Sequence, residues 1–295
     1  MKTHVRVRVR PNGRERISGK KIGIIFLMTA LSSILSVRIG AASSGQGSVR
    51  YLANEGVLVR DGKTCVVVDF PFTGKYDWCV SPTEAQIQAL LERQPPFESI
   101  DAFLFTHDHR DHFDPALTAK ALQAHPEAVL VGPPLVLSRV KEAGGGRLKN
   151  IFFEALEGNG IETAGMKIQA LKAPHARYWD IDPGTGKKVI RDDGYVHRAY
   201  LVTLAQTSFL HGGDAYEIAL PEKASADFIL LDRGILPAKG IEFLADLYRR
   251  LGARWTALMH VGPAEIATLN ARIEKESAWL SAFTEQDRLL SASQK

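Results

Sequence analysis

Residues 106–112, Thr-His-Asp-His-Arg-Asp-His, concentrate side chains that bind metal ions. His107 and His109 are two residues apart, so in an extended or tightly turning loop both can point the same way and bind one ion. Asp111 and His112 can then turn toward a second ion. Imidazole suits zinc, iron and manganese, and a carboxylate adds the negative charge that a second hydrolytic ion uses. The spacing predicts a metal site; a polar surface loop with solvated histidines is the alternative.

The elements around this loop are predicted from hydrophobic periodicity and turn residues. An apolar run at 101–105 predicts a buried strand that leads into His107. Other strands are predicted at 49–52, 57–60, 64–69, 128–131, 150–153, 166–171, 198–204, 208–210, 227–231 and 256–259. Helices are predicted at 83–93, 116–124, 216–223, 241–251 and from 263 onward. Strand runs mixed with helices at both ends predict a two-sheet α/β sandwich, with residues 49–295 forming one domain.

More ligand-type residues follow the predicted strands: Asp69, His175, Asp214 and His260. Each also has an alternative explanation. His175 could be an ordinary loop histidine, Asp214 could cap the predicted helix near residue 216, and His260 could be a core histidine. His197 and His211 lie on apolar strands and are predicted to be structural.

The His-x-His-x-Asp-His pattern after a strand resembles the signature of the metallo-β-lactamase superfamily, and the similarity covers roughly residues 49–265. It implies a four-layer αββα sandwich that holds two divalent ions, with zinc expected and manganese or iron as alternatives. Asp69 matches the aspartate that supports the loop, and we expect it to orient a histidine ligand. The matching ligands are His107, His109 and His175 for the first ion, Asp111, His112 and His260 for the second, and Asp214 as the bridge.

The resemblance implies a binuclear hydrolase in which a hydroxide shared by the ions attacks an ester, lactone or phosphodiester of a small molecule or lipid. Asp111 and His112 are the expected catalytic residues, with Asp111 orienting the hydroxide. True β-lactamases of this fold typically have Cys or Ser where Asp214 stands. The pattern looks closer to the lactonase and N-acyl-phosphatidylethanolamine phospholipase D-like branch. The alternatives are a β-lactamase and a non-hydrolytic member, either a di-iron redox protein or a sensor.

Substrate contacts are predicted in the loop after His175. There Arg177, Tyr178 and Trp179 could supply an anion clamp, a hydrogen-bond donor and a stacking wall. The alternative is that Tyr178 and Trp179 only pack the loop. Tyr195 is a weaker candidate.

The net charge of +4 is unevenly distributed. Residues 1–42 hold nine Lys/Arg and one acid, so the remainder has 28 basic and 32 acidic residues and a net charge of −4. This balance disfavours nucleic-acid binding.

Residues 1–42 also have the layout of a signal peptide, with a basic start, an apolar stretch at 22–37 and small residues at 40–42. We expect cleavage, a linker at 43–48 and a periplasmic or secreted protein with no stable membrane span. An uncleaved anchor is the alternative. A disulfide between Cys65 and Cys79 and the oligomeric state stay open.

Overall fold

The computed structural model describes residues 47–181, 184–191, 195–276, 278–283 and 288–291. The strands in these ranges are β1 Ser48–Ala53, β2 Gly56–Asp61, β3 Thr64–Val68, β4 Ala102–Leu104, β5 Val129–Gly132, β6 Phe152–Glu154, β7 Gly160–Thr163, β8 Met166–Lys172, β9 Tyr178–Ile181, β10 Lys188–Arg191, β11 Arg198–Thr203, β12 Ser208–His211, β13 Phe228–Asp232, β14 Trp255–Met259, β15 Leu280–Ala282 and β16 Leu289–Ser291. The α-helices are α1 Glu84–Leu91, α2 Pro115–Ala124, α3 Pro134–Gly144, α4 Ile235–Lys239, α5 Ile241–Leu251 and α6 Ile266–Ile273. Two short 3₁₀ helices, Pro263–Glu265 and Glu274–Glu276, flank α6.

The strands form two seven-stranded mixed sheets and a separate β9–β10 hairpin. The first sheet has the order β16-β1-β2-β3-β4-β5-β6 and the second the order β15-β14-β13-β12-β11-β8-β7. Each sheet has an antiparallel half and a parallel half: β3 to β6 are parallel in the first, and β12 to β15 in the second. Parallel neighbours end at the same edge, so residues after them can meet there.

Alternating side chains on each sheet separate the core into three apolar layers. On β3, Val66 and Val68 pack in the layer that also holds residues of β8 and β11, which is the layer between the sheets. Cys65 and Val67 point the other way, into a layer with residues of α2 and α3. The outer face of the second sheet packs against α4, α5 and α6. The order is helix, sheet, sheet, helix, which confirms the predicted four-layer αββα sandwich.

The predicted helix at 216–223 is wrong. This segment has no regular secondary structure. Its backbone forms a hydrogen bond to a strand instead of within a helix, because Ala219 N–H donates to the carbonyl of Lys172 in β8 at 2.9 Å. Pro221 also lacks the N–H that a helix interior needs. Helices α3 and α4 and strands β7, β9, β10, β15 and β16 were not predicted from the sequence.

The predicted leader at 1–42 and residues 43–46 of the predicted linker lie outside the described residues. The end of that linker is corrected, because Gly47 is buried and β1 begins at Ser48, which pairs with Arg60. Within the described ranges, none of the helices has the length and apolarity needed to cross a membrane.

Candidate metal centre

The predicted ligand residues converge at one edge of the sandwich, just beyond the carboxyl ends of strands. Asp69 follows β3, the 106–112 loop follows β4, and His260 follows β14. His175 and Asp214 follow β8 and β12, and their loops are joined: Ala176 N–H donates to the carbonyl of Asp214 at 2.7 Å. Residues separated by more than 150 positions in the chain therefore share one site.

The 106–112 loop divides its ligands between two directions because it turns tightly. The backbone N–H groups of His112 and Phe113 both donate to the carbonyl of His109, at 3.1 and 2.9 Å. Helix α2 then begins at Pro115, with Asp114 as its N-cap accepting from Leu117 N–H at 2.8 Å. The turn separates His107 and His109 from Asp111 and His112.

His107, His109 and His175 form what we call the first half-site. Their ring centroids lie 4.4 Å (His107 to His109), 4.7 Å (His109 to His175) and 4.9 Å (His107 to His175) apart. Together with a carboxylate oxygen of Asp214, one ligand atom from each residue lies within 4.8 Å of all the others. This is a three-imidazole, one-carboxylate arrangement suited to zinc and similar ions.

Asp111, His112 and His260 form the second half-site, and their ligand atoms also lie within 4.8 Å of one another. Asp111 Oδ2 is 3.3 Å from His260 Nε2 and 3.6 Å from His112 Nε2. The Asn54 side-chain amide donates to the same oxygen at 3.2 Å and to the backbone carbonyl of Asp111 at 3.0 Å. These contacts hold the Asp111 carboxylate beside the two imidazoles.

Asp214 lies between the half-sites. Its Oδ2 is 3.2 Å from His175 Nε2 and 3.8 Å from His107 Nε2. Its Oδ1 is 3.3 Å from His112 Nε2. One oxygen therefore faces each half-site, which is the placement of a carboxylate that bridges two ions. With no helix at 216–223, helix capping does not explain this residue.

Gly213 allows this close approach. Its φ is +54°, and a side chain there would collide with the His197 ring and with Thr106. Glycine fits here because it adopts the left-handed conformation readily and has no Cβ that would collide with these neighbours.

Asp69 orients one histidine in each half-site through hydrogen bonds. Its Oδ1 accepts the backbone N–H of Thr106 at 2.8 Å, and its Oδ2 accepts the Thr106 hydroxyl at 2.7 Å. With its proton donated, the Thr106 hydroxyl accepts from His107 Nδ1–H at 2.9 Å. Asp69 Oδ2 also accepts from His112 Nδ1–H at 3.2 Å. Both rings therefore present Nε2 to the centre, which is the orienting role predicted for Asp69.

The two half-sites differ in protonation. Burial lowers the pKa of His107, and it lowers the pKa of His109 to about 4. Burial also acts to lower the pKa of His112 and His260, but the Asp214 and Asp111 carboxylates outweigh it. The pKa of His112 is raised well above its usual value and that of His260 is raised to about 9. His107 and His109 of the first half-site are thus neutral near pH 7, whereas His112 and His260 of the second half-site carry a proton.

The residues fit bound cations. The Nε2 atoms of His107 and His175 and the Oδ1 of Asp214 are buried and have no hydrogen-bond partner among the described residues. Buried polar atoms are almost always satisfied, and these unpaired atoms are all of ligand type and converge on one centre. Cations would satisfy them and would displace the protons of the second half-site.

Solved structures show what this arrangement resembles. The metallo hydrolase Igni18 from Ignicoccus hospitalis aligns over 83% of this chain and 98% of its own, with 15% identity and a TM-score of 0.57. The metallo-beta-lactamase fold protein YhfI from Bacillus subtilis aligns over 83% and 99%, with 15% identity and a TM-score of 0.54. The chain has the metallo-β-lactamase fold.

An isothiocyanate hydrolase from Delia radicum gut bacteria is similar at 13% identity, with a TM-score of 0.51 over 82% of this chain and 98% of its own. A scan against protein-family models finds no match, and neither does a search of curated proteins. At these identities the likeness shows the metallo-β-lactamase fold alone.

A cleft of about 910 Å³ opens over the half-sites of this metallo-β-lactamase fold. Of the predicted substrate residues, Arg177 and Tyr178 line it, while the Trp179 side chain lies outside the described part of the structure. Tyr195 was a weak candidate, yet its ring centroid is 4.1 Å from that of His109. The Tyr178 ring lies 5.6 Å from both His109 and His175.

Three residues of the site were not predicted from the sequence: Asn54, Glu55 and Asp232. Asp232 ends β13, and its Oδ2 lies 3.9 Å from His260 Nδ1. Glu55 is fully buried next to Asn54, in the turn between β1 and β2. Burial and the Asp214 carboxylate raise the pKa of Glu55. Two sequence signals could have identified them. Asn54 and Glu55 are a polar pair between two apolar strands, and Asp232 is an aspartate at the end of a buried strand.

His197 and His211 are buried, and each donates one ring N–H to a backbone carbonyl, while His197 Nε2 has no hydrogen-bond partner among the described residues. His197 Nδ1–H donates to Ala173 at 2.7 Å, and His211 Nε2–H donates to Glu55 at 2.9 Å. Cys65 and Cys79 are both buried free thiols, so the disulfide left open above is not formed.

Proposed function

We propose that this protein is an exported, binuclear metal-dependent hydrolase that cleaves an ester, lactone or phosphodiester bond. The observation that carries the proposal is the position of Asp214, whose two carboxylate oxygens face different half-sites. A single-ion site would not need this placement. The likeness to other proteins named as hydrolases is consistent with it.

The reaction requires a nucleophile and a proton acceptor. The two half-sites would hold divalent ions, which would lower the pKa of a bound water and polarise the bond under attack. The contacts of Asp111 with Asn54, His112 and His260 all use Oδ2. Oδ1 is not used in these contacts and Asp111 lines the cleft, so in this proposal Oδ1 accepts the proton of the attacking water and passes it to the leaving group.

The charges of the cleft favour an anionic substrate. Its lining includes four arginines and four aspartates, so these side chains balance before any cation binds. Two divalent ions would add four positive charges, which the neighbouring carboxylates of Asp69, Glu55 and Glu265 offset only in part, so the half-enclosed space would still attract anions. The arginines are Arg110, Arg139, Arg177 and Arg233. A phosphodiester or a lactone that carries a phosphate or carboxylate fits this cleft better than a neutral ester.

The lactonase and phospholipase D-like branch remains our proposed placement, because Asp214 stands where β-lactamases typically have Cys or Ser. Zinc is the proposed ion for the first half-site, since three imidazoles suit it. Export follows from the signal-like layout of residues 1–42 and is part of the same proposal.

A hydrolysis panel on purified protein loaded with zinc or manganese tests the proposal. The panel contains matched neutral and anionic lactones, phosphodiesters, thioesters and a chromogenic cephalosporin. We expect turnover of an anionic lactone or phosphodiester that chelators abolish and added metal restores. A strong cephalosporin response would favour a β-lactamase, and two irons with visible absorbance and no hydrolysis would favour the redox alternative.

A further inference from the structure

Glu55 occupies an unusual place for an acidic residue. Ala53 pairs with Gly56, so Asn54 and Glu55 form a two-residue hairpin turn between β1 and β2, with Asn54 at a φ of 46°. Acidic residues in such turns normally point into solvent. Both residues here have no exposed surface. Turn propensity explains Asn54, but it does not explain a buried glutamate.

The turn is held rigidly from several sides. Besides the bond from His211 to the Glu55 carbonyl, Asn54 N–H donates to the carbonyl of Val80 at 2.8 Å. Gly56 has no room for a side chain, since a Cβ there would lie 2.8 Å from the Ala53 carbonyl oxygen and 3.0 Å from that of Asp69. The Glu55 side chain therefore extends from a fixed backbone into the interior.

The Glu55 carboxylate lies beside the second half-site. One ligand atom each of Glu55, His112 and Asp214 lie within 4.8 Å of one another. Neither carboxylate oxygen of Glu55 has a hydrogen-bond partner among the described residues. A buried carboxylate without a partner is unfavourable, and a cation bound at this half-site would supply the missing partner. Asn54, the other residue of the turn, already contacts Asp111 of the same half-site.

We propose that Glu55 is a further carboxylate ligand of the ion held by the second half-site. This inference rests on the two-metal centre of the proposed function. It gives that ion three carboxylates, from Asp111, Asp214 and Glu55, beside two imidazoles. The first half-site keeps three imidazoles and one carboxylate. Because oxygen-rich sites favour harder ions, the second half-site selects manganese or iron over zinc more strongly than the first does.

A different role for Glu55 makes an opposite prediction. The carboxylate also lies within 4.8 Å of ligand atoms of Asp69 and His211. Glu55 could therefore be an uncharged acid that only fills the interior beneath the centre. A glutamine has the same shape and no charge, so it would replace an uncharged acid but not an anionic ligand.

The test is metal content after dialysis, measured by mass spectrometry on full-length protein, with manganese and zinc affinities from chelator competition. We expect Glu55→Gln and Glu55→Ala to lower the affinity for the second ion by about 10- to 100-fold, with a larger loss of affinity for manganese than for zinc. The matched control is Asp61→Asn. Asp61 is also buried but ends β2, roughly 20 Å of extended strand from the turn, and we expect it to keep both ions.

Glu55→Gln with two ions at wild-type affinity would overturn the inference, and so would an equal loss in Asp61→Asn. Wild-type protein that binds two ions but hydrolyses nothing would defeat the proposed function and leave this inference intact. A wild-type crystal grown with manganese gives a measurement that needs no variant. We expect a Glu55 oxygen within about 2.5 Å of the ion near His112; a separation beyond about 3.5 Å would overturn the inference.

Discussion

The two half-sites share Asp214 but differ in the charged groups that lie next to their histidines. In the first half-site, burial leaves His107 and His109 with lowered pKa values, so they are neutral near pH 7. In the second, carboxylates surround His112 and His260 and raise their pKa values. Cation binding must displace protons from the second half-site but not from these histidines of the first. We therefore propose that the two half-sites differ in the pH dependence of ion binding and in the ion type that each prefers.

The largest effect is expected where the half-sites meet. Asp214→Ala removes the carboxylate that faces both, so we expect at most one tightly bound ion per chain. Hydrolysis should fall on the order of 10³-fold or more, the upper scale of removing one electrostatic contact from a transition state. Metal analysis and steady-state kinetics check this, with Asp246→Asn on the exposed face of α5 as control. Two ions retained in Asp214→Ala would show that no carboxylate bridge exists.

Removing one ligand from each half-site separates their contributions. His109→Ala and Asp111→Ala should each lower turnover by about 10²- to 10³-fold and leave the fold intact by circular dichroism. We expect each variant to keep one ion, with manganese preferred in His109→Ala and zinc in Asp111→Ala. Near-normal rates in either variant would refute the role of that residue.

Asp69 supports His112 directly and His107 through Thr106. Asp69→Asn can still accept hydrogen bonds but loses its charge, so we expect both ions to bind about 10- to 100-fold more weakly. Chelator competition measures both affinities. A loss confined to one ion would show that Asp69 supports only that half-site.

The smallest effect expected is a difference in pH dependence. The pKa of His260 in the metal-free protein is raised to about 9, so below that pH a cation must displace its proton. Lowering the pH from 8.5 to 6 should therefore lower the affinity for the second ion by about tenfold per pH unit for each proton that the ion displaces. The first ion should weaken much less, because the pKa of His109 is about 4. Equal pH slopes for both ions would contradict the comparison.

Much of the centre could be predicted from local signals. The 106–112 loop is a contiguous motif, and His175, Asp214 and His260 each follow an apolar strand. The two-sheet α/β sandwich also followed from strand and helix patterns, and its four-layer order followed from the resemblance to the metallo-β-lactamase superfamily. Segment 216–223 shows where local pattern fails, because its backbone bonds to Lys172, a residue more than 40 positions away.

The sequence alone therefore determined which residue types stand at the strand ends, because hydrophobic runs and turns are local properties. The tertiary structure decided which of them meet. It placed the two oxygens of Asp214 toward different half-sites and brought Glu55 from a hairpin turn to within 4.8 Å of Asp214. The physical reason is that these distances depend on strand register and on the packing of two sheets, which no local pattern encodes.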